Sequence, residues 1–218
     1  MEQVTLENYV KAIYHLSEGN KWMVTNKKIA EKLSVIPATV TEAVKKMAEN
    51  GYVEYEKSYG SKLTSRGHKL ALTVIRRHRL WETFLEKELD FKWDEVHDIA
   101  EELEHIANDK LINRLSEKLG NPLYDPHGDP IPNEKGKFNK NDFITMDRVK
   151  KLGKYRIEGV KNHSQAFLKY CEKNVLTIAT VIEIASIEEF DGSLSVLTNQ
   201  KAVLIGKTTA SFLILSKA

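Results

Sequence analysis

The sequence predicts a mainly α chain that ends in a β domain, and three observations carry that expectation. Apolar residues recur at helical spacing from Leu6 to about Leu119. A Pro- and Gly-rich stretch, Gly120 to Gly136, then breaks the pattern. From Phe138 to Ala218 short β-type runs alternate with turn residues, five strands and one helix that suggest a small barrel. The expected organisation is residues 1–64, 65–136 and 137–218 as three successive domains.

Leu6 to Leu16 carries its apolar residues at 6, 9, 10, 13, 14 and 16, and Gly19-Asn20 ends that helix. Thr25 is a suitable N-cap for a short helix from about Asn26 to Leu33, with Ile29, Ala30 and Leu33 inward. Ser34-Val35-Ile36-Pro37 is a tight turn that sets Pro at the start of the next helix. That helix, Ala38 to Asn50, buries Val40, Val44 and Met47 before Gly51 stops it. Tyr52–Glu56 and Lys62–Thr64 then predict a two-stranded hairpin with Gly60 in its turn. Three helices followed by a β wing make a winged helix-turn-helix.

Thr64 or Ser65 caps a long helix, about Arg66 to Leu89, with apolar residues on more than one face. Trp93 to Ile106 predicts a further helix, with Val96, Ile99, Ala100 and Leu103 on its apolar side, and Asp109 to Leu119 a shorter one. Trp81, Phe84, Leu85 and Trp93 offer a dimer interface, which a two-fold reader of DNA requires. The β domain is expected to hold strands at Tyr155–Glu158, Thr177–Ile187, Leu194–Leu197, Ala202–Ile205 and Ser211–Leu215, with a helix at Ser164–Asn174.

Composition is that of a soluble globular protein, 41% hydrophobic and 29% charged. The net charge of +2 hides a split. Asn20 to Leu80 holds 13 Lys+Arg against 5 Glu, whereas Glu82 to Asp109 holds 11 Asp+Glu against 2 Lys. A basic block followed by an acidic one suggests polyanion contact first and cation capture second. One cysteine, Cys171, excludes an intrachain disulfide framework. Without a signal peptide or a long apolar run, a cytoplasmic protein with no membrane contact is expected.

A recognition helix needs short polar and methyl-bearing side chains at its N-terminal end. Pro37, Ala38, Thr39, Thr41 and Glu42 supply that end, and Lys45 and Lys46 lie further along. Lys27, Lys28, Lys57 and Lys62 are candidates for the phosphate backbone, and Tyr59 at the wing tip can lie along it. A solvated lysine-rich face is the plain alternative.

The second constellation is WDEVHDIAEELEHI. His97, Glu101, Glu104 and His105 share one stripe of a helix with 3.6 residues per turn. His78 and Glu82 repeat the pattern four residues apart on the preceding helix. Imidazole and carboxylate donors on neighbouring helices suit a divalent first-row metal, against the plain reading of a solvated Glu/His face. Asp125 and His127, in the Pro-rich connector, can bring ligands to a second site. No HExxH spacing, nucleophile or general acid is evident, so neither an enzyme nor a small organic substrate is expected.

Taken together, LENYVKAIYHL, KIAEKLSVIPATVTEAVKKM, GYVEYEKSYGSKLTSRG, IRRHRLWETFL, EVHDIAEELEHI and DPHGDPIP resemble the metalloregulators typified by the diphtheria toxin repressor and the manganese transport regulator. The resemblance covers essentially the whole chain. It implies a winged helix-turn-helix DNA-binding domain, a helical metal-binding and dimerisation domain, and a C-terminal SH3-like (FeoA-like) domain. It also implies a cytoplasmic homodimer that binds a pseudo-palindromic double-stranded operator when Mn²⁺ or Fe²⁺ is bound, repressing metal uptake genes. By the same resemblance His78, Glu101, Glu104 and His105 are metal ligands, and Glu82 and His97 belong to an ancillary site. Asp125 stands where some members have a ligating Cys, and Asn162 and Gln165 correspond to positions that reach back to the ancillary site. The family has Asp or Met where this chain has Asn8, and the manganese branch has Glu where it has Lys11; Glu7 is a possible substitute ligand. With Glu101 where the iron-type regulators have Cys, the donor set is hard. It favours Mn²⁺, with Fe²⁺ as the alternative and Zn²⁺ or Co²⁺ binding more tightly in vitro. A metalloenzyme and a DNA-binding protein with a decayed metal site are the competing readings.

Overall fold

The computed structural model describes residues 1–199 and 201–218. The chain divides into two compact units. One is Met1–His78 with Glu102–Ile112 and Pro132–Lys137; the other is Arg79–Glu101 with Asn113–Ile131 and Phe138–Ala218.

In the first unit α1 (Gln3–Leu16), α2 (Asn26–Leu33) and α3 (Pro37–Glu49) precede a hairpin of β1 (Val53–Glu56) and β2 (Gly60–Leu63). The apolar stripes close on one core in which Val10, Ile13, Ile29, Val40, Val44 and Met47 are fully buried. α1 ends where Glu18, Gly19 and Asn20 take positive φ, and the Ser17 hydroxyl donates to the Ile13 carbonyl. Asn20 then pairs with β2 through its side chain, donating to the Leu63 carbonyl and accepting from the Leu63 N–H, both at 2.9 Å. Thr25 caps α2, and Ser34 in the left-handed region turns the chain so that Pro37 opens α3. Gly60 is required by close approach: at φ +109°, a Cβ there would lie 2.1 Å from the Val24 carbonyl oxygen, where Val24 bridges to Ser61.

α4 (Ser65–Leu89) runs 25 residues, and the division between the units falls within it after His78. α5 covers only Val96–Leu103 of the helix expected from Trp93 to Ile106. At its start the Glu95 carboxylate accepts from the Lys92 N–H and holds a turn. At its end Ile106 bonds back to the Leu103 carbonyl, and Asn108 caps α6 (Asp109–Lys118) through the Leu111 N–H. Glu104 and His105 therefore leave the helix in a turn instead of continuing its stripe.

The second unit is built on an antiparallel sheet of β3 (Ile144–Thr145), β4 (Gly153–Val160), β5 (Val181–Ile187), β6 (Leu194–Leu197), β7 (Ala202–Ile205) and β8 (Leu213–Lys217). Its order is β3-β8-β4-β5-β6-β7. The expected SH3-like barrel is not formed: the sheet is open. Among the described residues β7 pairs only with β6 and β3 only with β8. Closure needs a full ladder along the seam, and β3 offers two residues. Helical residues cover the core instead. Leu168 and Cys171 of α7 (Gln165–Lys173) and Ala210 of α8 (Lys207–Ala210) pack with Ile157, Ile182, Val196 and Leu215. The Ser164 side chain caps α7, which starts at Gln165. Among the described residues no helix is long and apolar enough to cross a membrane.

Candidate metal centres and nucleic-acid face

The N-terminal end of α3 is open to solvent. Pro37, Ala38, Thr39, Glu42, Lys45 and Lys46 are exposed, as are Lys27 and Lys28 on α2. Ile36, just before them, is 66% exposed, and Tyr59 at the tip of the wing is 68% exposed. Lys62 on β2 is half-buried. Thr41 differs from the others. Its hydroxyl donates to the Pro37 carbonyl at 3.0 Å and accepts from the Asn26 amide at 2.9 Å, so it fastens α2 to α3.

A first cluster of ligand-type residues lies in the first unit. Glu7 on α1 and Glu104 after α5 are fully buried carboxylates. Lys11, one turn beyond Glu7, places its ammonium 2.7 and 2.6 Å from the two oxygens of Glu104. His78 donates from Nδ1 to Glu104 Oε2 at 2.7 Å. Arg77 donates to Glu7 Oε1 at 3.1 Å, as does the Gln3 amide, and His105 donates from Nδ1 to Glu7 Oε2 at 2.8 Å. Every oxygen of both carboxylates already has an N–H donor. Glu7, and not Asn8 beside it, carries the buried carboxylate, and the half-buried Asn8 is one helical step away.

A second cluster lies within the second unit. Glu82 on α4 and Asp125 and His127 on the connector are all buried, and one ligand atom from each comes within 4.8 Å of the others. His97 on α5 stands 3.3 Å from Glu82 Oε1 and 3.6 Å from Glu101. The connector is held by its own internal hydrogen bonds and by β4. Asp125 Oδ1 accepts from the N–H groups of His127 and Asp129, and the His127 carbonyl accepts from the Val160 N–H of β4. Gly128, at φ +82°, lets the loop touch β4: a Cβ there would lie 2.0 Å from the Glu158 carbonyl oxygen. Arg79 steadies the loop from α4 through the Pro130 carbonyl and Asp129, 3.1 Å away.

Two atoms of this cluster decide its chemistry. His127 Nε2 lies 2.7 Å from the Trp93 carbonyl, which can only accept, so Nε2 carries the proton and Nδ1 faces Glu82 at 3.6 Å. His127 Nδ1 and Asp125 Oδ2 are both buried without a hydrogen bond. The charge balance reflects the same gap. Burial pushes the Asp125 carboxyl well above the carboxylate range, with Glu82 and Asp129 adding to it and Arg79 and His127 opposing. Burial alone would lower His127, but Glu82, Asp125 and the Trp93 carbonyl outweigh it and hold the imidazole up to about 9. Asp125 Oδ2 has an ion pair with Arg79 Nε at 3.5 Å, beyond good hydrogen-bond distance. Two carboxylates and an imidazole, two of their buried atoms without a hydrogen bond, fit a hard divalent cation.

His163 stacks on His127 with ring centroids 4.5 Å apart and lies 3.7 Å from Asp129. Sequence reading passes over it, because a lone histidine after a strand carries no signal. Asn162, named instead, uses its amide oxygen to accept the Ser164 N–H, and Gln165 is an exposed first residue of α7. The Trp93 carbonyl is likewise unmarked in the sequence; Arg79 is one of three arginines, with Arg76 and Arg77, that the sequence sets near His78 without fixing whether they screen the acidic site or contact phosphate.

The profile of the iron dependent repressor N-terminal DNA binding domain matches residues 3–61, and that of the iron dependent repressor metal binding and dimerisation domain matches residues 64–133. The iron-dependent repressor IdeR of Mycobacterium tuberculosis strain H37Rv is 35% identical over 128 residues, 59% of this chain and 55% of that protein. The diphtheria toxin repressor of Corynebacterium jeikeium is 34% identical over 59% of this chain and 53% of its own length. The chain thus spans about half the length of these curated relatives. Two solved structures are similar over almost the whole chain. A manganese-dependent transcriptional repressor in complex with manganese has a TM-score of 0.87 at 32% identity, covering 98% of this chain and 100% of the other. The manganese regulator SloR has a TM-score of 0.79 at 34% identity, covering 98% of both.

Proposed function

The chain belongs to the family of metal-dependent transcriptional regulators that includes the diphtheria toxin repressor, IdeR, SloR and ScaR, and from that premise we propose a homodimeric, cytoplasmic repressor whose operator binding requires Mn²⁺. The observation that carries the metal half of this reading is the buried trio Glu82, Asp125 and His127, two of whose atoms have no hydrogen bond. Glu82, Asp125 and His127 would hold the ion, with His97 beside them. A divalent cation bound there would take the place of the His127 proton opposite Glu82 and Asp125, beside Arg79, whose Nε lies 3.5 Å from Asp125 Oδ2. The Trp93 carbonyl keeps His127 Nδ1 turned toward Glu82, and Arg79 with the Asp125 turn keeps the connector against β4.

The donor set favours manganese. Oxygen and imidazole nitrogen without sulfur suit Mn²⁺ or Fe²⁺, and by the Irving–Williams order such a site binds Zn²⁺ and Co²⁺ more tightly in vitro. The similarity to manganese regulators across 98% of the chain points the same way. Iron is the second reading, favoured by 35% identity to an iron-dependent repressor.

The exposed N-terminal end of α3 with Lys45 and Lys46 supports major-groove reading of a pseudo-palindromic operator, one half-site per protomer. Metal acts through its higher affinity for the DNA-competent arrangement, which shifts the population toward it. The genes repressed would be those of metal uptake. An operator-shift titration with Mn²⁺ and Fe²⁺ on wild type, Glu82→Gln and His127→Gln tests this. Both variants should require far more metal for the same shift. Unchanged titration curves in both would refute the assignment of the trio.

A further inference from the structure

The two clusters differ in whether their carboxylate oxygens already have donors. In the second unit neither Asp125 Oδ2 nor His127 Nδ1 has a hydrogen bond; Arg79 Nε stands 3.5 Å from the first and Glu82 Oε1 3.6 Å from the second. In the first unit all four oxygens of Glu7 and Glu104 are taken, and two of the donors are permanent cations: Lys11 on Glu104 and Arg77 on Glu7. Two carboxylates thus face two permanent cations. A divalent ion entering this buried place would meet no charge deficit and would stand against an ammonium.

The geometry of Lys11 is the sharper point. Its Nζ bonds both oxygens of Glu104, at 2.7 and 2.6 Å, which is the place a chelated ion would occupy. A charged lysine has three donors and no acceptor, so it cannot join a coordination shell; it can only leave. Its side chain is 12% exposed and Glu104 is 0% exposed, so the pair is held away from competing water.

We infer that Lys11 is the resident cation of the Glu7–Glu104 cluster, and that this cluster takes no divalent ion while Lys11 holds Glu104. The inference rests on the reading that metal is taken by Glu82, Asp125 and His127. It gives the protein one cluster that senses metal and one that ties α1 to residues 104 and 105 with an internal charge. The second holds whether or not metal is present.

The test counts ions, not regulation. Equilibrium dialysis of the full-length protein against Mn²⁺ is followed by elemental analysis, with folding checked by circular dichroism. Glu104→Gln should leave the wild-type count unchanged. Lys11→Ala should raise it by one ion per chain, and Lys11→Ala with Glu104→Gln should return it to the wild-type value. Where Lys11→Ala does not fold, Lys11→Gln, uncharged and of similar reach, takes its place. A wild-type count that falls by one in Glu104→Gln overturns the inference, as does a folded Lys11 variant with an unchanged count. Glu82→Gln tests the supporting reading separately. If it leaves the count intact, the trio is not the metal site, whatever the Lys11 and Glu104 variants show.

Discussion

Lys11 and Glu104 are joined by two short bonds from one ammonium to both oxygens of one carboxylate, across 93 residues of sequence. Removing one member of such a buried pair strands the charge of the other, a loss of about 3–5 kcal/mol in comparable cases. Glu104→Ala also strips His78 Nδ1 of its acceptor. It is expected to lower stability by about that amount in urea denaturation with EDTA present. Lys11→Met combined with Glu104→Leu should cost clearly less than the sum of the two single changes, because neither charge is left alone. Additive losses would mean that the two side chains do not interact in solution.

Gly128 is placed by a contact and not only by its φ. Gly120 provides the comparison: its φ is +75°, but a Cβ there would meet nothing within 4 Å. Gly120→Ala should therefore show only backbone strain. Gly128→Ala adds a collision with the Glu158 carbonyl, 2.0 Å away, and must push the loop that carries Asp125 and His127 off β4. It should lose more than about 1 kcal/mol of stability and weaken Mn²⁺ affinity by about 10–100-fold. Isothermal titration calorimetry on the two variants separates them, and equal affinities would refute the loop's dependence on that contact.

Much of this was legible in the sequence, for reasons that differ by region. The winged unit is written in local signals: Thr25 as a cap, Pro37 at a helix start, Gly51 and Gly60 where the backbone needs them. The open sheet was not legible. Whether a sheet closes depends on pairings between distant strands, and β3 is two residues with no run of its own. The residue types of the candidate trio were legible, Glu82 beside His78 and Asp125 beside His127, but not that the three come together. What orients them was not legible either. The Trp93 carbonyl is backbone, and Arg79 is one of three arginines near His78 whose choice between the acidic site and phosphate the sequence leaves open. Glu7 and Asn8 show the limit of helical phasing: a step of one residue turns about 100° around the axis, which decides which of them faces Glu104's neighbours.

For the nucleic-acid face, Lys46 is exposed on α3 and Thr39 is exposed at its N-terminal end, so they should fail differently. Lys46→Ala should weaken operator and random DNA alike and lower the slope of log K against log salt by about 1. Thr39→Ala should leave that slope alone and cost about 1–3 kcal/mol on the operator only. Fluorescence anisotropy at several salt concentrations reads both. A changed salt slope in Thr39→Ala would place it on phosphate instead of a base edge.

The metal-free protein should become less stable as the solution turns alkaline, and His127 sets the window. Its imidazole is held up to about 9 against an ordinary 6.5, so the folded chain binds this proton more tightly than the unfolded one. A raised folded value contributes stability that is complete below 6.5 and lost as pH rises through about 9. Asp125 acts in the same direction, since burial raises its carboxyl and the folded state again holds the proton more tightly. With EDTA present, the urea midpoint should fall between pH 6.5 and 9, and His127→Gln should flatten that fall. Mn²⁺ needs the lone pair at Nδ1, so its uptake must expel a proton. Titration calorimetry in buffers of different ionisation heat should record that release, and affinity should rise across the same window. A midpoint that is flat or rising with pH in the metal-free wild type would mean that His127 is not charged in the folded protein, and the proton release should then be absent as well.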